Sequence, residues 1–303
     1  MCVGGQRSSR FSDVGQYLHR ADRAVRHGDP RTAYLCGNIG LEGLGYVGRA
    51  IDDPISPTYC SLDIRNAKTP GSVYVESAMP SNVVAGERGF KLRTSTVNGL
   101  RVVSYEYAYG GSSGRRDCYR DIFARGVAVH LYQSAYTTTC PLLDPVVTKL
   151  TADITGGQIK RVSFAADSLA FRNMCDDLRA AHPDELPLAR GVQLSVHSFG
   201  NLCRADRKGL SVEVEANVTA SSLGYTWVNY GGHRLQKFSG GSRSTCAFES
   251  PQGSYKRGLT RYQEALSVDV YLGGTPWTSE EVAQACTLGQ QVTARMLDAL
   301  HRK

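Results

Sequence analysis

Strict alternation of apolar and polar residues marks several short stretches of the chain. Val212, Val214 and Ala216 alternate with Ser211, Glu213 and Glu215 inside the run 210–218. Leu266, Val268, Val270 and Leu272 alternate in the same way, and so do Val192, Leu194 and Val196. A period of two puts one set of side chains in a core and the other in water, the signature of an antiparallel sheet. The C-terminus follows a different period. Val282, Cys286, Gly289, Val292, Met296 and Leu300 recur at helical spacing. That helix opens with Thr278-Ser-Glu-Glu281, a capping box in which the threonine and glutamate side chains satisfy free backbone amides. A further helix is predicted over Ser12 to His27, with Val14, Leu18, Ala21 and Val25 on one side and Arg20, Arg23 and Arg26 elsewhere. Short helical segments surround Cys36 and Cys175.

The elements occur twice in the same order. A helical segment with Cys36 or Cys175 comes first. A polar stretch after Cys60 or Cys203 then leads to a glycine and a strand, from Gly71 or Gly209. Tyr109-Gly-Gly111 is set against Tyr230-Gly-Gly232, and each precedes a third cysteine, Cys118 or Cys246. The strands Val127–Tyr132 and Leu266–Tyr271 follow. A fourth cysteine, Cys140 or Cys286, then accompanies a helix carrying Val147-Thr148 or Val292-Thr293. On this alignment the first half holds about 25 extra residues between Cys60 and Tyr109. The expected fold is α+β: two tandem related domains, each an antiparallel sheet flanked by helices. Residues 1–15 form a flexible tether, 16–155 the first domain and 156–303 the second, with the boundary near Thr155-Gly-Gly157.

The nine cysteines sharpen this picture. None has the close spacing of a zinc site, and no paired histidines stand nearby. Eight scattered thiols suit an oxidising compartment better than a reducing one. Four disulfides are therefore expected, confined within the halves. Four cysteines permit three pairings per half. Neighbour pairing is the expectation: Cys36–Cys60, Cys118–Cys140, Cys175–Cys203 and Cys246–Cys286.

Cys2 is left over, ahead of the small, polar run 3–10. Three readings compete. It is the lipidated first residue of a mature bacterial lipoprotein, with Met1 in place of a signal peptide; an N-terminal nucleophile; or incidental. The first accounts for the odd cysteine and the tether together. The nucleophile reading requires a buried strand directly after Cys2, and Val3-Gly-Gly-Gln6 does not resemble one. Beside a lipid anchor, the arginines of 12–27 would meet anionic headgroups, although a solvated face is the plainer reading.

The net charge of +7 is mild, and no block of basic residues stands out. Nucleic acid is therefore not an expected partner. No run of 18 apolar residues is present. Gly110-Gly-Ser-Ser-Gly114 fits G-x-S-x-G, but a Gly/Ser loop surrounds it where a nucleophile elbow needs a helix. His130 and His197 fall on the polar sides of their strands and are read as exposed. Glu213 and Glu215 share an outward face and are read as solvated. No metal, cofactor or catalytic residue is expected.

The Tyr-Gly-Gly segments are the strongest candidate recognition surface. They carry Tyr107, Tyr109, Arg115 and Arg116 in the first half, and Trp227, Tyr230, His233 and Arg234 in the second. Tyr, Trp and Arg dominate binding hot spots, and loops on a rigid sheet are their usual place.

Cys203 before the strand 210–218, then the strand 266–271, Cys286 and the final helix, resemble actinobacterial cell-envelope lipoproteins with tandem cysteine-bridged domains. The pattern is also similar to the extracellular sensor domains of mycobacterial serine/threonine kinases. The resemblance implies a location on the outer face of the cytoplasmic membrane and this fold, and carries no catalytic residue. The expected function is non-catalytic binding or sensing by an exported, lipid-anchored protein. Its partners would be the membrane through Cys2, and a cell-wall, lipid or envelope-protein ligand. A cell-envelope hydrolase is the alternative, and a polar cleft with a histidine and a carboxylate in contact would favour it.

Overall fold

The computed structural model describes residues 30–40, 44, 47–51, 58–65, 71–78, 80, 90–108, 116–124, 126–135, 140, 142–181, 193–197, 201–207, 209–219, 226–238, 246–257, 260–273 and 277–301. Cys2, the helix expected over 12–27, the 110–114 motif, Tyr109 and Arg115 lie outside the described residues.

The first half runs α1 (Leu35–Asn38), β1 (Val47–Ile51), β2 (Tyr59–Arg65), β3 (Gly71–Ala78), β4 (Arg93–Val97), β5 (Leu100–Ala108), β6 (Arg116–Ala124), β7 (Val127–Ala135) and α2 (Leu143–Thr155). The second runs α3 (Met174–Ala180), β8 (Gln193–His197), β9 (Leu202–Arg207), β10 (Leu210–Thr219), β11 (Thr226–Tyr230), β12 (His233–Phe238), β13 (Cys246–Arg257), β14 (Thr260–Leu272) and α4 (Ser279–His301). Each half forms one antiparallel sheet of seven strands. The first is ordered β1-β2-β3-β7-β6-β5-β4, and the second, read from its far edge, β8-β9-β10-β14-β13-β12-β11. Strand for strand the two topologies are identical, and the fold is α+β in tandem.

The period-two pattern decides which face each sheet buries. Val212, Val214 and Ala216 of β10 point to the same side as Val268, Val270 and Leu266 of β14, their register partners. That side packs on α4 through Cys286, Leu288, Val292 and Met296. In the first half Leu62, Val73, Val75, Leu131 and Ile122 pack on Val146, Val147 and Leu150 of α2. The capping box forms: Thr278 Oγ1 accepts from the Glu281 amide at 3.1 Å, and Glu281 Oε2 accepts from the Thr278 amide at 2.8 Å. Glu281 Oε2 also accepts from Thr278 Oγ1 at 2.9 Å, and the bonds from the Thr278 amide and hydroxyl hold the Glu281 carboxyl below its ordinary value.

Four disulfides join the helical segments to the sheets. Cys36 of α1 bonds Cys60 of β2, and Cys175 of α3 bonds Cys203 of β9. Cys118 of β6 bonds Cys140 just ahead of α2, and Cys246 of β13 bonds Cys286 within α4. Each bridge has a topological counterpart in the other half.

The topology corrects one part of the sequence alignment. Gly231 and Gly232, with φ of +58° and +82°, make the turn between β11 and β12. The counterpart turn, between β4 and β5, is Asn98-Gly99, with φ of +48° and +81°. Left-handed φ at both central residues is the hairpin turn that matches strand twist. Tyr109 instead follows β5, at the place occupied by Ser239 after β12. Local identity of Tyr-Gly-Gly therefore paired two non-equivalent loops. The apparent insertion of about 25 residues arose largely from that mismatch.

The chain between the halves is bonded on both sides. The Lys160 carbonyl accepts from the Tyr34 amide, and the Thr32 carbonyl from that of Val162. Further on, the buried Glu264 of β14 accepts from Ser168 Oγ and from the Leu169 amide.

Two substitutions test this packing. A Cβ at Gly289 would lie 2.7 Å from the Phe248 ring, so Gly289→Ala is expected to destabilise the second half by about 1–3 kcal/mol. Replacing the Cys246–Cys286 pair by serines opens a 40-residue loop, at a cost of about 4 kcal/mol in the chain-entropy account. Urea unfolding of each variant measures both.

Candidate functional site

Among the described residues, each sheet has one face on its helix and one face that no helix covers. On the first sheet the second face carries a row of aromatic side chains. Register places Tyr74, Tyr132, Tyr119 and Tyr105 directly opposite one another across β3, β7, β6 and β5. Their ring centroids are 5.4, 5.2 and 4.7 Å apart along the row. Tyr59 extends the row at 6.0 Å from Tyr74, and Phe90 caps the other end at 5.1 Å from Tyr105. Such pairs contribute about 0.5–1.5 kcal/mol each beyond burial, so the row is a stiff platform.

The neighbouring row carries charge. Glu76, His130 and Asp121 are register partners on β3, β7 and β6. Asp121 is fully buried, and its Oδ1 lies 2.5 Å from His130 Nδ1. Its Oδ2 is buried without a hydrogen-bond partner. His130 is a quarter exposed and stacks on Tyr119, centroids 5.6 Å apart. The reading of His130 as an exposed surface histidine is therefore corrected: a buried carboxylate orients it among tyrosines. The two rows border an open cavity of about 280 Å³, lined by Tyr59, Tyr74, Glu76, Tyr119, His130 and Tyr132.

The helix-free face of the second sheet has a different chemistry. Glu213, Glu215, Glu249 and Asp269 cluster on β10, β13 and β14. Tyr271 donates to Glu213 Oε2 at 3.1 Å, Arg204 Nη1 pairs with Glu213 Oε1 at 3.3 Å, and Ser267 donates to Asp269. Asn217 donates to Glu249, and Gln236 lies buried beside it. Glu215 has its carboxyl pushed well above the usual range. Burial is the main cause, followed by repulsion from Asp269, Glu76, Glu213 and Glu249. Burial, then the charges of Asp269, Glu213 and Glu215 and the hydrogen bond to Glu213, also raise the Tyr271 hydroxyl. This face is not the solvated surface expected for Glu213 and Glu215.

The residues first proposed for recognition do not form one site. Tyr107, on β5, is exposed and meets Phe90 edge-on, while Arg116 of β6 pairs with Glu106. Trp227 and Arg234 form a cation–π pair, 4.2 Å from guanidinium carbon to ring centroid, on the β11–β12 hairpin. Tyr230 packs on the second core, and His233 bonds Asp298 of α4 at 2.9 Å. Tyr107 of β5 and His233 and Arg234 of β12 sit on topologically equivalent strands, but of separate sheets, and Arg116 of β6 has no counterpart among the others. His197 belongs to β8.

Sequence reading missed Tyr59, Tyr74, Glu76, Tyr119, Asp121 and Tyr132. A signal was present. Tyr74 and Glu76, Tyr119 and Asp121, and His130 and Tyr132 each stand two residues apart on strands, which places an aromatic and a titratable group on one face. In addition, 11 of the 16 tyrosines fall before residue 156.

No protein-family model matches the chain, and no curated protein matches its sequence. Among solved structures, the di-domain ARO/CYC StfQ from the steffimycin biosynthetic pathway aligns over 90% of this chain and 92% of that one. The identity is 10% and the TM-score 0.17, a likeness that carries no argument. The fold itself defines a tandem α+β protein cross-linked by four disulfides. The disulfides are compatible with an extracellular or secreted protein, and no described helix is long and apolar enough to cross a membrane.

The raised Glu215 gives a signed prediction. A carboxyl whose folded pKa exceeds its unfolded value near 4.5 takes up protons on folding. Its contribution to stability is fully present below pH 4.5 and is lost as pH rises through the elevated folded value. Glu215→Gln is expected to be more stable than the parent at pH 7, with the difference vanishing below pH 4.5. Denaturant unfolding of both proteins across that range measures it.

Proposed function

We propose that this chain is an exported cell-envelope lipoprotein with a non-catalytic binding or sensing role, its ligand held in the tyrosine-lined cavity of the first sheet. One observation carries the binding reading. The cavity joins a preorganised aromatic platform to a few polar groups, Glu76 and His130. Apolar walls with a few converging polar groups are the usual anatomy of a ligand site. The pairing of eight cysteines with one another supports an oxidising location and singles out Cys2 as the ninth. In this reading Cys2 carries the lipid, and 1–15 tethers the two halves to the outer face of the cytoplasmic membrane. The resemblance to actinobacterial envelope lipoproteins and kinase sensor domains points the same way.

The contact between His130 and Asp121 favours a second reading, a cell-envelope hydrolase. An oriented imidazole can act as a general base toward water. Four of the six described lining residues are tyrosines, and this largely aromatic wall favours the binding reading.

Expression in an actinobacterial host separates these readings. The expected result is membrane-associated protein with four bridges and diacylglycerol on Cys2, seen by peptide mass mapping. Cys2→Ser should then move the protein to the medium. Free thiols in a cytosolic fraction would overturn the proposal. A hydrolytic activity on ester or glycan substrates that disappears in His130→Ala would replace binding with catalysis.

A further inference from the structure

We propose that the tyrosine row conducts one-electron oxidation, and that the resulting radical comes to rest on Tyr119. The inference uses the stacking of the rings on one another and is independent of any ligand in the cavity. A phenol that loses an electron becomes strongly acidic and gives up its hydroxyl proton. In balance, Tyr–OH yields Tyr–O•, one electron and one proton. The electron goes to a one-electron oxidant such as a ferryl haem or an organic peroxyl radical, and the proton to a nearby base. A neighbouring tyrosine then supplies the missing electron, so the radical moves one ring at a time. Each step falls off steeply with separation, which makes a stacked row the favoured route. Tyr59, Tyr74, Tyr132, Tyr119 and Tyr105 follow one another at centroid separations of 6.0, 5.4, 5.2 and 4.7 Å. The first four line the open cavity, where a diffusing oxidant can reach them. Phe90, 5.1 Å from Tyr105, ends the row, because a ring without a hydroxyl is much harder to oxidise.

Two features single out Tyr119. It has a tyrosine on either side, and its pair with Tyr105 is the closest and most nearly parallel of the row, with 8° between the ring planes. Adjacent π-systems share the charge of an oxidised ring and make it easier to form. The second feature is a base. The His130 imidazole stacks on Tyr119 at 5.6 Å, and its Nδ1 donates to Asp121 Oδ1 at 2.5 Å. That bond leaves Nε2 as the basic nitrogen. His130 and Tyr119 line the same cavity, within which the phenol proton passes to the imidazole. The buried Asp121 carboxylate then stabilises the imidazolium that forms. Competing sinks lie elsewhere. Both tryptophans, Trp227 and Trp277, belong to the second half. Every described cysteine is in a disulfide, so no described thiol intercepts the radical.

The test is flash oxidation of the full chain by tris(bipyridine)ruthenium(III), generated with a cobalt(III) quencher. Freeze-quenched EPR follows the radical, and peptide mapping locates its nitroso spin-trap adducts. The expected signal is a long-lived tyrosyl radical that narrows when ring-deuterated tyrosine is incorporated. Adducts are expected mainly on the half-buried Tyr119, ahead of the exposed Tyr107. Tyr119→Phe keeps the ring but removes the hydroxyl, and should abolish the long-lived signal. Tyr132→Phe cuts the row, so Tyr59 and Tyr74 should gain adducts that they lack in the unsubstituted protein. His130→Gln should shorten the radical lifetime, a readout that a packing role would not move. Adducts spread over the tyrosines in order of exposure, with Tyr107 leading, would overturn the proposal. So would a long-lived signal that survives Tyr119→Phe. Should that variant fail to fold, the adduct map of the unsubstituted protein decides by itself.

Discussion

A seven-stranded sheet has two faces, and among the described residues each half of this chain supplies one long helix to cover one of them. The other face must be made wettable or be brought against something else. Much of the structure follows from that constraint. α2 and α4 each seal an aliphatic core on one side. On the other sides polar groups lose water as well, and each has to be bonded, neutralised or left at a cost. Glu213 is bonded to Tyr271 and Arg204, Asp121 to His130, and Glu215 stays protonated more readily than a free carboxyl.

The disulfides solve a related problem. The two short helices, α1 and α3, hold four and seven residues, too few for lasting helical order without tertiary support. Their cysteines fasten them to β2 and β9. α3 is also capped by the Asn173 side chain and steadied by the bidentate Arg172–Asp177 pair. α4 is long enough to hold itself, and its bridge to β13 instead sets where it lies on the sheet. There it crosses Phe248 at Gly289, the one point where the absent side chain lets helix and ring close up.

Local pattern made much of the fold legible. Alternation in 210–216 and 266–272, helical spacing in 282–300 and the Thr278–Glu281 cap all describe elements that are present. Cysteine order gave the repeat and its bridges. The failures were long-range. Tyr-Gly-Gly matched by local identity, whereas equivalence is decided by which strands the turn connects. Glu213, Glu215 and His130 looked solvated because alternation identifies two faces without saying what covers the second. Tyr59, Tyr74, Tyr119 and Tyr132 are scattered over more than 70 residues of sequence. They meet only through the crossing that seats β7 between β3 and β6.

The repeat also has an asymmetry with its own consequence. The two sheets share one topology, yet one helix-free face is aromatic and the other acidic. An acidic face stacked on a copy of itself would gather two sets of carboxylates at one seam, and the aromatic face carries Glu76 and Asp121 of its own. Two halves with one topology thus present different chemistry at matching positions, so a substitution tolerated in one half has no reason to be tolerated at its counterpart in the other.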